Sequence, residues 1–265
     1  MGRSLQSHGR QSKVYVPVLR WIFKKYYRRG KQSIEFTMQD IREACDDLGI
    51  EAANPADVVY RMKSRTKIPP EIEELGFRIL RPVARGKYLL EVGESTLIDY
   101  PDCDVEEIID RTPAPVRRML GVEFGDIDEQ GLLSVIRYND LISRFLGQRA
   151  FHFKGHVRKS VEGVGQAEVD DVHVSTPLDA DEPITVVPVE AKAKDEPTNR
   201  AQIAMQILYA RTSFPGHPVR PLTIKLFADG VILFMEFEDE TNPRELRVIR
   251  STRYRLVEPD RSSRE

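Results

Sequence analysis

Between Val14 and Arg29 the chain reads VYVPVLRWIFKKYYRR. Leu19, Ile22, Phe23 and Tyr26 fall there at helical spacing, which predicts a helix with one apolar stripe after a disordered tail over residues 1–12. Thr37 stands before MQDIREACDDLG, with Asp40 three residues on and Gly49 at the end, the pattern of a capped helix with a glycine stop. Asn54 and Pro55 supply a cap and a first-turn proline for a further helix, Asn54–Lys67. FRILRP and KYLLEV are strand-like and separated by VARG, a hairpin signal with Gly86 at its tip. In the second half, GLLSVIRYNDLISRFLG (Gly131–Gly147) predicts a helix, followed by three strand-like runs, AFHFKGHVRKSV, AEVDDVHVS and ITVVPVEAKAK. A helix capped at Thr198 or Asn199 follows through RAQIAMQILYART, and LTIKLFADGVILFMEF and LRVIRSTRYRLV close the chain as strands. Helix, three strands, helix and further strands is an α/β (α+β) order with a mixed sheet.

Charge divides the chain further. Residues 1–92 hold 18 Lys+Arg against 11 Asp+Glu, residues 93–110 hold seven acids and no base, and the remaining 155 residues hold 22 bases and 24 acids. The net charge of −2 hides that asymmetry. We expect a basic domain over 13–92, an acidic, proline-bearing linker with one short helix over 93–115, and a second domain over 116–260. Three helices followed by a hairpin with basic residues at its turn is the order of a winged helix-turn-helix, a DNA-binding fold. Its second motif helix would be Asn54–Lys67, offering Arg61, Lys63, Ser64, Arg65 and Lys67 to the major groove, with Arg85 and Lys87 as the wing. With 40% apolar and 31% charged residues in 265, the composition excludes disordered and collagenous classes. No apolar run approaches the roughly 20 residues of a membrane helix. The polar opening MGRSLQSHGRQSK and only two cysteines, Cys45 and Cys103, predict a cytoplasmic protein with reduced thiols.

The chemistry concentrates in two strands. Glu168, Asp170 and Asp171 lie on one, and Glu190 and Lys192 lie on the next, pointing to one face while Ala191 points to the other. If the strands are neighbours, two carboxylates and an ammonium converge. Such a set suits a hard divalent cation beside a phosphodiester. Three acids in EVDD also break the apolar–polar alternation of the strand, and such local violations mark functional sites. Pro188 sits inside the second strand, where its missing N–H requires a bulge or a strand start. His152, His156, His173 and His217 lack zinc spacing, neither cysteine has a catalytic histidine setting, and no phosphate loop or nucleophile elbow occurs. Trp21 is expected in the core of the first helix.

This arrangement, over roughly Gly131 to Phe237, resembles the PD-(D/E)XK nuclease superfamily and, within it, type II restriction endonucleases. The resemblance implies a restriction-endonuclease-like sheet flanked by helices and a Mg²⁺-dependent, sequence-specific double-stranded DNA endonuclease. It puts the metal-binding aspartate at Asp170 or Asp171, the second acid at Glu190, a backbone ligand at the Ala191 carbonyl and the catalytic lysine at Lys192. Gln202 and Gln206 are i,i+4 on one helix face and would reach DNA phosphate or the metal's water shell, though Gln206 and Tyr209 miss the glutamine–tyrosine spacing of the recombination-nuclease branch. Asp140 on the preceding helix is a candidate extra acid. A homodimer and a companion DNA methyltransferase are implied as partners. The alternatives are a repair, recombination or transposon-end nuclease, a DNA-binding regulator with an inactive nuclease-like domain, and a protein-binding adaptor.

Overall fold

The structure, a computed structural model, describes residues 7–51, 68–93, 97–120, 127–161, 165–176, 183–193 and 196–258. The chain separates into two compact units. One comprises Met1–Ile98 with Ser160–Gln166 and Asn199–Gln202, and the other comprises Asp99–Lys159, Ala167–Thr198 and Ile203–Glu265. Both are mixed α+β.

The first unit opens with α1 (Ser7–Tyr26), so the helix begins inside the expected tail and runs through Pro17. It buries Val18, Leu19, Ile22 and Phe23 against the sheet, and Phe23 meets the Phe77 ring edge-on at 5.2 Å. Trp21 lies at the margin of this core, its indole N–H donating to Asp47. β1 (Ser33–Thr37), absent from the sequence reading, leads into α2 (Met38–Asp47). The capping box is present. The Thr37 hydroxyl accepts the Asp40 N–H, and the Asp40 carboxylate accepts the Thr37 N–H at 2.8 Å. Gly49, at φ 62°, follows the helix in the left-handed region a glycine enters freely. Asp40 also accepts from Lys25 at 3.1 Å and from Tyr26, tying α1 to α2. The expected reading helix Asn54–Lys67, with Arg61, Lys63, Ser64, Arg65 and Lys67, lies outside the described residues. After a short α3 (Pro70–Glu73) come β2 (Phe77–Ala84) and β3 (Lys87–Val92). They form an antiparallel sheet in the order β1-β3-β2, in which Phe36 and Tyr88 are register partners with rings 5.4 Å apart. The β2–β3 turn closes on Gly86 at φ 68°, leaving Arg85 and Lys87 exposed at its tip.

The second unit is built on a seven-stranded sheet in the order β4-β10-β9-β8-β7-β6-β5. The segment expected as an acidic linker with one short helix contains β4 (Val105–Ile109), which pairs in parallel with β10 (Val248–Val257), and the start of α4 (Ala114–Leu120). The helix expected over 131–147 is two helices, α5 (Glu129–Tyr138) and α6 (Leu141–Leu146), broken where Asp140 adopts φ 50°. Buried Asn139 holds the break. Its amide donates to Thr112, Asp110 and the Val135 carbonyl at 3.0, 3.2 and 2.9 Å and accepts the Arg111 N–H at 2.6 Å. β5 (Arg149–Val161), β6 (Gly165–Thr176) and β7 (Thr185–Lys192) follow, then α7 (Arg200–Ser213), β8 (Leu222–Leu226) and β9 (Val231–Phe237). α5 and α6 cover the face carrying Val187, Val189 and Ala191, and Leu132, Ile136, Phe145 and Phe234 fill the space between. Pro188 fits inside β7 without a bulge. Val186 donates to the Pro218 carbonyl, so the missing donor two residues on also faces the β8 side, where the β7–β8 ladder starts only at Val189.

Candidate active site

β6 and β7 are antiparallel neighbours with Asp171 opposite Val189. Val189 faces the α5–α6 core. Alternation then sends Asp171 to that face and sends Asp170, Glu190 and Lys192 to the other. The contacts agree. Asp170 accepts the Ala191 N–H at 2.9 Å, the Lys192 ammonium lies 2.5 Å from Glu190, and the Gln206 amide of α7 donates to the other Glu190 oxygen. Asp170, Glu190 and Lys192 are therefore brought together, as their spacing predicted. Of the two aspartates, Asp170 is the one that shares a face with Glu190 and Lys192. Asp171 is a different residue structurally: it is fully buried and receives Arg137 at 2.8 and 3.1 Å and His173 at 2.9 Å, with His152 also 2.9 Å away. A role as metal ligand beside Asp170 is not open to it from that side of the sheet.

The electrostatics separate the two further. Burial pushes the Asp170 carboxyl above the ordinary range. The Ala191 N–H, Lys192 and His156 pull it back, and Glu129 adds to the upward push. Burial acts on Asp171 too, but the hydrogen bonds and charges of His173 and Arg137 outweigh it and hold that carboxyl below the ordinary range. Burial disfavours the Lys192 ammonium, yet the Glu190 charge and hydrogen bond, with Asp170 and Glu196 behind them, raise its pKa above the usual lysine value. Lys192 is thus a fixed cation at neutral pH. It suits holding an anionic oxygen and orienting a water, not taking a proton.

Three further residues belong to this neighbourhood. Gln206 is fully buried, so it orients Glu190 and does not present its amide to DNA, whereas Gln202, one turn earlier, is partly exposed. Asp140, the expected extra acid, accepts from Ser143 at the α5–α6 break, and the acid that bears on Asp170 is Glu129 in the first turn of α5. Starting that helix at Gly131 hid Glu129. Asp128, which caps Gly131 at 2.8 Å, was the available signal. Lys225, buried on β8, is the register partner of Lys192 and donates to the Glu196 carbonyl at 2.9 Å. Nothing in its own strand pattern distinguished it.

Acidic groups thus outnumber cations around Asp170 and Glu190, and one acid is pushed toward its neutral form by burial. That excess of acid is the electrostatic setting a divalent cation would relieve, and Asp170 and Glu190 share the face it would occupy, with both Glu190 oxygens already held by Lys192 and Gln206. Mg²⁺ is commonly held by one or two carboxylates plus substrate phosphate, so a third acid is not required. Among the described residues no group of three or more His, Cys, Asp or Glu is arranged to hold a metal ion. Of the other candidates, His217 contacts the Ile184 carbonyl, Cys45 is buried in the first core with its thiol pushed up by burial and by Asp46, and no described helix is long and apolar enough to cross a membrane. Comparison with models of known families, with curated proteins and with solved structures finds no match.

Proposed function

We propose that the chain is a Mg²⁺-dependent DNA endonuclease of PD-(D/E)XK type, with a winged helix-turn-helix in its first unit. The observation that carries this reading is the convergence of Asp170, Glu190 and Lys192 on one face of β6 and β7, with the Ala191 N–H on Asp170. Asp170, Glu190 and the Ala191 carbonyl would hold the ion. When bound, Mg²⁺ polarises a phosphodiester and lowers the pKa of its water. Gln206 fixes the Glu190 carboxylate through one oxygen. Lys192, kept charged by Glu190, orients the attacking water and balances charge on the phosphate. In the first unit, exposed Arg85 and Lys87 at the hairpin tip suit phosphate contacts. Restriction-type cutting of both strands calls for two copies, one site per strand, and a protective methyltransferase as partner.

The test is incubation of wild-type and Lys192→Ala protein with phage and plasmid DNA, in Mg²⁺ and in chelator. Discrete Mg²⁺-dependent fragments that the variant fails to produce are expected. Salt-dependent DNA binding without turnover would replace the nuclease with a regulator. Cleavage by the variant at the wild-type rate would sink the site assignment.

A further inference from the structure

The Asp171 side of β6 borders a second polar space. A cavity of about 190 Å³ is lined by Arg137 and Asp140, by Phe151 and His152 of β5 and by His173 of β6, with aliphatic side chains completing it. That is well above the ~10–15 Å³ that holds a single water on the same measure, so the space admits a small organic group. Its walls are unusually specified. His173 is 4% exposed and its Nδ1 has no hydrogen-bond partner. Arg137 spends Nε and Nη2 on Asp171, leaving Nη1 for a ligand. Phe151 is 51% exposed, a large apolar ring offered to solvent. Asp140 holds a left-handed backbone at φ 50°, a region aspartate enters more readily than most side-chain-bearing residues.

The lining also excludes ligand classes. An anion would meet the fully buried Asp171 carboxylate behind Arg137, His152 and His173. A metal would compete with Arg137 for the same carboxylate. A wholly apolar ligand would leave His173 Nδ1 unpaired. What remains is a flat ring with donors and acceptors on its edge. Beside the cavity, edge strand β5 carries Arg149, Lys154, Arg158 and Lys159 and no acid, and of these Arg158 pairs with Glu168 of β6, so Arg149, Lys154 and Lys159 offer the setting for a polyanionic chain. We propose that this cavity receives one unstacked nucleobase of bound DNA, stacked on Phe151 and edge-bonded by His173, Arg137 and Asp140. The inference rests on the DNA-acting reading above and narrows its substrate to DNA with an unpaired or extruded base.

Two duplexes of one sequence distinguish the possibilities, one fully paired and one carrying 2-aminopurine opposite an abasic site. Each is titrated in EDTA with wild-type, Phe151→Ala and Lys154→Ala protein, by anisotropy and by 2-aminopurine fluorescence. Wild type is expected to prefer the unpaired-base duplex at least tenfold and to change its fluorescence at saturation. Phe151→Ala should lose about tenfold on that duplex alone, the scale of one base–aromatic stack. Lys154→Ala should weaken both duplexes alike. Equal wild-type affinity for the two duplexes, or an equal loss on both from Phe151→Ala, would overturn the pocket even where Mg²⁺-dependent cleavage persists. Absence of all DNA binding would instead remove the DNA reading together with the pocket.

Discussion

Asp170→Asn and Asp171→Asn are adjacent, isosteric changes that should move stability in different directions. Asp171 is fully buried, and its charge is matched by Arg137 and flanked by two imidazoles. Neutralising one partner of a buried pair costs about 3–5 kcal/mol. The Arg137 side chain is 31% exposed and recovers part of its hydration, which reduces the expected loss to roughly 2–3 kcal/mol. With a urea dependence of about 2–3 kcal/mol/M, the midpoint of the seven-stranded unit should fall by about 1 M. Asp170 is the opposite case. Burial already disfavours its ionised form, and an asparagine oxygen can still accept the Ala191 N–H. Its variant should be neutral or more stable while losing Mg²⁺-dependent cleavage. The assay is urea unfolding followed by far-ultraviolet circular dichroism, because the single tryptophan, Trp21, belongs to the other unit. An Asp171→Asn protein as stable as wild type, or an Asp170→Asn protein weakened by several kcal/mol, would refute the assignment of the two side chains to different environments.

Burial would raise the Asp40 carboxyl, but hydrogen bonds from Tyr26, Thr37 and Lys25 bring it down to about 2 from an ordinary 3.8. Its folded pKa is depressed, so the linked stability, about 2 kcal/mol, is complete above pH ~4 and is lost as the pH falls toward 2. Acid titration of Asp40→Asn should lack that segment of the curve, and an unchanged profile would discount the cluster. Asn139→Ala strands the Arg111 N–H and Thr112 beside the α5–α6 break and should cost about 2–3 kcal/mol in chemical denaturation. Arg85→Ala combined with Lys87→Ala should lower the slope of log affinity against log salt by roughly 2 if both contact phosphate. An unchanged slope would move DNA contact away from the hairpin tip.

How far the sequence carried depended on the range of the interaction. Local chemistry was legible. The Thr37–Asp40 box, the Gly49 stop and the Gly86 turn are each decided within about four residues, and each appears where its pattern put it. Non-local decisions were not. Ser33–Thr37 is a strand because β3 pairs with it, and Val105–Ile109 is one because β10, about 150 residues on, supplies the partner. An acidic, exposed edge strand has no apolar alternation of its own to announce it. The α5–α6 break was hidden for a related reason: the apolar spacing of Leu132, Ile136, Phe145 and Leu146 continues through it, and what stops the helix is Asn139 bonding to residues 110–112. In the candidate site, the spacing of Glu190 and Lys192 fixed their shared face. The partner across the sheet, Lys225, needed the register, and the contact of Gln206 with Glu190 needed the packing of α7.

The run EVDD shows why one strand can carry two unlike sites. A strand in a sheet covered on both sides presents consecutive residues to different solvents, so Asp170 and Asp171 differ in everything but sequence position. Asp170 faces a set in which acids exceed fixed cations, a state that an added cation or a phosphate-bound metal would relieve. Asp171 faces a set in which Arg137 matches its charge: Arg137 and His173 bond one oxygen, and His152 lies beside the other. A matched carboxylate holds its partners still, and here the partners it holds are the walls of the second cavity. Disturbing Asp171 should therefore reach both faces, by loosening the pocket directly and by releasing the β6 segment that keeps Asp170 against the Ala191 N–H. Disturbing Asp170 should reach only its own. Under the proposed function, that asymmetry would separate a residue that acts on substrate from a neighbour that positions others.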